Sequence, residues 1–142
     1  MALIQKIQGQ QILASQVGTL TQNVVVSGSL AITGSLLGQV LALSIASNTA
    51  SLDMSSNNFY TLVLANGANT FILPTNINPG QTVNIRITQG SLGTGKVSFP
   101  SFVDQTSGSL YTGSAVSNAI DIVTMITFDS TTVFLSPIQN MI

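Results

Sequence analysis

The chain has 142 residues, a formal charge of −1 and only 5% charged residues, and it contains no Glu, His, Cys or Trp. This inventory excludes the usual catalytic triads, zinc sites and carboxylate–His relays, so we expect a protein that is not an enzyme and has no cofactor or metal. Three cations cannot neutralise the ~6–10 phosphates of a typical nucleic-acid contact, and no apolar run reaches the ~20 residues of a membrane span.

The low charge also bears on what surrounds the molecule. Charge repulsion cannot keep such a chain soluble, so Ser, Thr, Asn, Gln and Gly must form most of its surface, and partners must cover part of its apolar area. This composition is typical of fibre and shell assemblies, although a neutral secreted β domain is the alternative. Because the chain has no cysteine, the sequence does not indicate whether it occupies an oxidising or a reducing compartment.

Residues 1–48 are interpreted as an N-terminal arm for oligomerisation or attachment. Its apolar spacing fits a helix about as well as a strand, so its conformation stays open. The sequence S-G-S-L at 27–30 returns as T-G-S-L at 33–36, which suits either intertwined chains or a hairpin that turns at Gly34. The expected oligomer interface consists of the aliphatic residues of this arm: Ile4, Ile7, Val24, Val26, Leu30, Ile32 and Leu36.

Residues 49–142 are predicted to form a β domain. Strands are expected at 51–54, 59–65, 70–73, 82–88 and 96–99, because apolar residues alternate there with polar ones, as Val83, Ile85 and Ile87 do. Turn formers, such as Gly67 and Gly80 with their preceding Asn and Pro, separate the strands and favour an antiparallel unit over 59–99. After an irregular segment at 101–118, a hairpin is expected from strands 120–128 and 131–136.

The predicted fold class is therefore all-β, an antiparallel β-sandwich or jelly-roll-like domain preceded by an extended N-terminal arm. Within it, the glycine-rich residues 89–96 lack the spacing of a phosphate-binding loop and are interpreted as a hairpin loop. Arg86 is expected either to pair with Asp121, Asp104 or a neighbouring subunit, or to be solvated.

The residue types present suggest two further candidate sites, one for calcium and one for a glycan. A calcium site would need clustered oxygen ligands, and Asp53, Asn57 and Asn58 offer some without a loop pattern. Tyr60 and Tyr111 are possible contacts for a glycan of a host surface, because sugar rings stack on exposed aromatics; Asn118 and Asp104 could assist. A core role for each tyrosine is the alternative.

From about Leu52 onward the order of motifs resembles a small β domain at the ends of many tailed-bacteriophage virion proteins. In that domain a Y-T-L-x-L strand is followed by x-L-P-x-N, P-G-Q-x-x-x-I-x-I-x-Q, a glycine-rich loop, V-x-F-P, I-D-x-x-T and a final F-D-x-T-x-x-F hairpin. The matching segments here are 60–64, 72–76, 79–89, 90–95, 97–100, 120–124 and 128–134, about two-thirds of the chain.

The resemblance implies a structural protein of the virion, since members of this group typically form trimers in fibres, spikes or decorations. The short arm favours a capsid decoration or head-fibre subunit that is bound to other virion proteins and located on the capsid or tail surface. A tail-fibre subunit or a carbohydrate-binding module for host adsorption is the alternative. The chain departs from the group in lacking charged residues in the glycine-rich loop before Lys96 and Trp in the irregular segment.

Overall fold

The computed structural model describes residues 37–105 and 110–141, which form ten β-strands and contain no helix. The strands are β1 Val40–Ala42, β2 Ile45–Ala46, β3 Thr49–Asp53, β4 Phe59–Val63, β5 Asn69–Thr75, β6 Thr82–Thr88, β7 Lys96–Ser98, β8 Val103–Asp104, β9 Ile120–Thr127 and β10 Val133–Met141. The prediction of an all-β chain is confirmed for the described residues. The predicted interface residues from Ile4 to Leu36 lie outside them.

The strands form two mixed sheets that pack as a β-sandwich. A six-stranded sheet, the large sheet, has the order β1-β4-β6-β9-β10-β8, and a four-stranded sheet, the small sheet, has the order β2-β3-β5-β7. Five of the eight pairings between described strands are parallel. The prediction of antiparallel sheets is therefore wrong for most of the pairings, and the jelly-roll-like connectivity stays a prediction.

From β3 to β7 the chain alternates between the two sheets, and we call residues 49–98 the parallel coil. β3, β5 and β7 lie side by side in the small sheet, while β4 and β6 lie side by side in the large sheet. Each strand therefore pairs with the next strand but one, as when Phe59 lies opposite Asn84. Parallel neighbours need such long crossovers, which two-residue hairpins cannot provide.

The turns of the coil stand where the sequence predicts them but connect different elements. Gly67 and Gly80 have φ of 70° and 80°, in the left-handed region that glycine tolerates best. They turn the chain from the large sheet to the small sheet and back, instead of joining two strands of one hairpin. The glycine-rich loop likewise joins β6 to β7 across the sandwich, so its interpretation as a hairpin loop is wrong.

The C-terminal hairpin was predicted correctly. β9 and β10 pair antiparallel, with Thr127 opposite Val133 beside the turn. β9 also pairs antiparallel with β6, which joins the hairpin to the parallel coil. At the far edge, the two-residue β8 runs parallel to the start of β10.

Alternating residues of the strands fill the space between the sheets. Val83, Ile85 and Ile87 are at most 2% exposed, which confirms the burial that their period-2 pattern predicts. They pack with apolar side chains of both sheets, including Leu52, Ile72 and Val123. Each fully buried aliphatic side chain of this kind contributes about 1.5–3 kcal/mol.

Strand pairing begins before residue 49. β1 lies parallel to β4 at the edge of the large sheet, and β2 lies antiparallel to β3 at the edge of the small sheet. Residues 40–46, which the sequence analysis placed at the end of the arm, therefore contribute strands to both sheets.

Candidate functional site

The outer face of the large sheet carries the features that could serve a function. Its side chains are those at the alternate positions that point away from the core, and the strand register arranges them in rows. One row contains Ala42, Thr61, Arg86, Ile122 and Ile138, and the row beside it contains Val40, Phe59, Asn84, Thr124 and Ser136. Arg86 is the one charged residue of these two rows.

One end of this face is apolar and exposed, and we call Ile126, Phe128 and Phe134 the aromatic patch. Ile126 lies directly opposite Phe134 on the paired strands β9 and β10. The rings of Phe128 and Phe134 meet edge to face with centroids 5.8 Å apart, and the side chains are 76% and 43% exposed. Aromatic side chains exposed together in this way are typical of protein–protein contact surfaces.

Towards the β1 edge the same face forms a groove of about 450 Å³, which we call the Arg86 groove. Its walls are Val40, Phe59 and Ile122, and its polar groups are Thr61, Asn84 and Arg86. None of the residues that line it is acidic. An exposed guanidinium beside apolar walls can bind an anion that also has an apolar surface.

The predicted pair between Arg86 and Asp121 is not formed. Asp121 lies opposite Ile87, whereas Arg86 lies opposite Ile122, so the two charged side chains belong to opposite faces of the large sheet. Asp121 is 2% exposed, while Arg86 is exposed on the outer face. The other predicted partner, Asp104, lies on β8, three strands away from β6 in the sheet order.

The buried carboxylate of Asp121 is satisfied by hydrogen bonds alone. Its Oδ2 accepts from the Tyr111 hydroxyl at 2.8 Å and from the Ser114 backbone N–H at 2.8 Å. Its Oδ1 accepts from the Ser114 hydroxyl and from the Asn140 backbone N–H. These contacts join β9 to the irregular segment and to the last strand, which is a structural role.

The pKa values of this pair follow from the same contacts. Burial acts to raise the pKa of Asp121, but the bonds from Ser114, Asn140 and Tyr111 outweigh it and hold that pKa below its usual value. Burial, together with the hydrogen bond to Asp121 and the charge on that residue, raises the pKa of Tyr111. The acid is therefore ionised and the phenol neutral at neutral pH.

Neither tyrosine offers an exposed ring. Tyr111 is 4% exposed, and Tyr60 is 2% exposed with its hydroxyl donating to the Asp53 carbonyl. The predicted glycan contacts through Tyr60 and Tyr111 gain no support, because stacking needs an accessible ring face. Asn118 and Asp104 are exposed, and Asn118 adopts a positive φ at a turn.

The glycine-rich loop directs its backbone inward, towards the buried Gln89. The side-chain oxygen of Gln89 accepts from the N–H groups of Gly90 and Gly95 at 2.9 and 3.1 Å. Its amide nitrogen donates to the carbonyls of Gly95 and Ser114 at 2.8 and 2.6 Å. The N–H groups of Gly90 and Gly95 are thus engaged by the protein, so they are not free to cradle a phosphate.

Two of the candidate calcium ligands, Asp53 and Asn58, make hydrogen bonds within the protein. The Asp53 carboxylate accepts from the backbone N–H and the hydroxyl of Ser55, and these bonds lower its pKa. Asn58 donates to the Thr82 carbonyl at 2.7 Å. In the part of the chain that the structure describes, three or more acidic, His or Cys side chains do not cluster as metal ligands, and no helix could span a membrane.

The predicted site residues do not include Phe59, Asn84 or Phe134, although the strand pattern already places all three on an outward face. Asn84 and Arg86 alternate with the buried Val83, Ile85 and Ile87, so both must face outward. Phe59 and Phe134 are large apolar residues at outward positions of their strands. Such outward aromatics are the sequence signal for a surface that partners or ligands cover.

Comparison with models of known protein families, with curated proteins and with solved structures finds no match for this chain. The resemblance to the virion domain therefore stays a prediction.

Proposed function

We propose that the chain is a non-enzymatic structural protein of a bacteriophage virion, a trimeric capsid decoration or head-fibre subunit that is attached through its N-terminal arm, residues 1–48. The observation that carries the proposal is the aromatic patch. It leaves two phenylalanine side chains in water on a molecule with almost no charge to keep copies apart. Contact with other copies or with other virion proteins would remove this surface from water.

The energetics favour association over a free monomer. Apolar area buried in a contact contributes about 25 cal/mol per Å² before the ordering costs of association. Among the residues that the structure describes, the cations are Arg86 on the large sheet and Lys96 on the small sheet, so the electrostatic repulsion between copies is small. Other exposed apolar residues of the same face, such as Val63 and Ile138, enlarge the area that a partner would cover.

Solution mass tests the assembly. We expect light scattering after size exclusion to give three times the chain mass of 14.7 kDa for the wild type. Replacing Phe128→Ser and Phe134→Ser together should shift the mass to that of one chain, because the substitutions remove the aromatic rings without touching the core.

Leu92→Ser is the matched control, since Leu92 is 71% exposed but lies in the glycine-rich loop. It should leave the mass unchanged. A wild type that is monomeric, or a trimer that survives the double substitution, would contradict a self-contact through the aromatic patch. Leu30→Asp with Leu36→Asp separately tests the predicted interface of the arm.

The virion assignment has its own measurement. Peptides of this chain should be found by mass spectrometry in purified phage particles, in a fixed ratio to the major capsid protein. Particles that contain no such peptides would refute the assignment, whatever the oligomeric state.

A further inference from the structure

The Arg86 groove combines one cation with donors and apolar walls. Arg86 is the one charged residue among those that line the groove. The planar guanidinium binds carboxylates through two parallel hydrogen bonds, which is the geometry that a lone lysine cannot offer. A single monoanion matches a single cation, whereas a phosphate dianion favours several.

The polar side chains beside Arg86 are placed to bind hydroxyl groups. The side-chain oxygen of Asn84 accepts a hydrogen bond of 2.8 Å from the Thr124 hydroxyl, so the amide nitrogen faces away from Thr124 as a donor. The Thr61 side chain stands on the neighbouring strand, directly opposite Arg86. These groups can bind several hydroxyls on one small molecule.

An aromatic side chain, that of Phe59, lies directly beside Asn84 on the paired strand and is held in place. Phe59 is 44% exposed, and its ring lies so close to Gly38 that a Cβ at that position would be 2.7 Å from a ring carbon. The glycine backbone thus supports one edge of the ring, while the ring remains open to the groove. The C–H face of a sugar packs well on such a surface.

We propose that the Arg86 groove binds a carboxylated sugar, with the carboxylate on Arg86, hydroxyls on Asn84 and Thr61, and the ring against Phe59. The groove, at about 450 Å³, falls within the roughly 300–1,000 Å³ of ordinary ligand sites. A peptide terminus fits less well. The strands β4, β6 and β9, which carry all the lining residues except Val40, pair on both sides, so their backbones are not open to the main-chain bonding that extended peptides use.

Binding is measured by isothermal titration and by shifts of the Asn84 side-chain amide in the NMR spectrum. D-glucuronate and N-acetylneuraminate are the probes; D-glucose lacks the carboxylate and acetate lacks the ring. We expect one of the two acids to bind at least about tenfold more tightly than glucose or acetate, because glucose lacks the charge-assisted bidentate contact and acetate lacks the contacts of the ring and its hydroxyls. The Asn84 amide signal should move with that acid.

Arg86→Gln should weaken this binding about tenfold or more, while Lys96→Gln, which makes the same change in net charge on the small sheet, should leave it unchanged. Equal binding to the wild type and Arg86→Gln overturns the site, as does acetate that binds as tightly as the acids. If neither acid exceeds glucose, or if acetyl-dialanine binds as tightly as the better acid, the carboxylated sugar is wrong. None of these results depends on the mass of the assembly, so this proposal and the proposed function fail separately.

Discussion

The hydroxyl of Tyr111 donates a hydrogen bond of 2.8 Å to the carboxylate of Asp121, and both residues are buried. The same carboxylate binds Ser114 and the backbone of Asn140. A single acid therefore fixes the irregular segment and the end of β10 against the middle of the sandwich. This makes the contact a point at which stability can be tested.

Replacing Asp121→Asn should destabilise the fold by about 3 kcal/mol, as expected for unsatisfied buried donors. Each carboxylate oxygen accepts from a backbone N–H, of Ser114 or of Asn140. Either orientation of the amide therefore places its NH₂ group against another donor. Urea unfolding measures the loss. Asp104→Asn, at an exposed site on β8, should cost less than about 0.5 kcal/mol, and a similar cost for both changes would contradict the role of Asp121.

The pKa of Asp121, held below its usual value, predicts how stability depends on pH. An acid whose pKa is lower in the folded state adds stability that is fully present above the pKa of the unfolded chain, about 3.9, and that is lost as the pH falls towards the folded pKa. The difference in the free energy of unfolding between the wild type and Asp121→Asn should therefore become smaller below about pH 4. Urea midpoints of both proteins between pH 7 and pH 2.5 test this. An advantage that grows on acidification would show the sign to be wrong.

Gln89→Met should loosen the glycine-rich loop and destabilise the fold by about 2–4 kcal/mol. Methionine has a similar shape but leaves the N–H of Gly95 and the carbonyls of Gly95 and Ser114 without the partner they have now. Hydrogen exchange at the Gly95 amide should accelerate. Gln139→Met makes the same change at an exposed position of β10 and is the control; unchanged exchange at Gly95 in Gln89→Met would refute the role of the buried amide.

The parallel pairing of β4 and β6 can be tested with an engineered disulfide in a chain that has no cysteine. Val63 lies opposite Thr88 on the outer face, so Val63→Cys with Thr88→Cys should oxidise readily, since bridged Cα atoms lie about 4.4–6.8 Å apart. Thr82 lies at the other end of β6, about 20 Å from Thr88 along the strand. Val63→Cys with Thr82→Cys should therefore stay reduced, whereas an antiparallel pair would give the opposite result. Mass spectrometry under non-reducing conditions distinguishes them.

The sequence predicts most strand positions because a strand with one buried face shows alternating apolar residues, whichever strands it pairs with. Val83, Ile85 and Ile87 face the core, and β9 repeats the pattern with Val123 and Met125. Asp121 stands in the same phase as Val123, so its burial could have been read from the alternation. The prediction instead offered Asp121, for its charge, as one of several alternative partners of Arg86.

The pairing of the strands could not be predicted in the same way. A buried face looks alike in a parallel and an antiparallel neighbour, and Gly67 or Gly80 fixes a backbone angle without fixing which sheet the chain enters next. The Arg86 groove depends on that pairing. Phe59 and Asn84 are far apart in sequence and become neighbours only because β4 and β6 run in parallel.

The parallel coil also determines when this protein can fold during synthesis. β6 lies in the middle of the large sheet, and one of its two partners, β9, leaves the ribosome only after residues 89–119 have been made. Until residues 120–127 emerge, β6 has an open edge, and its inward side chains lack Val123 and Met125. The nascent chain therefore carries an apolar strand with one unpaired edge while residues 89–119 are made, and long-range pairing of this kind is slow. Loss of the last hairpin would leave that edge open permanently, so a truncated product would aggregate instead of keeping a partial fold.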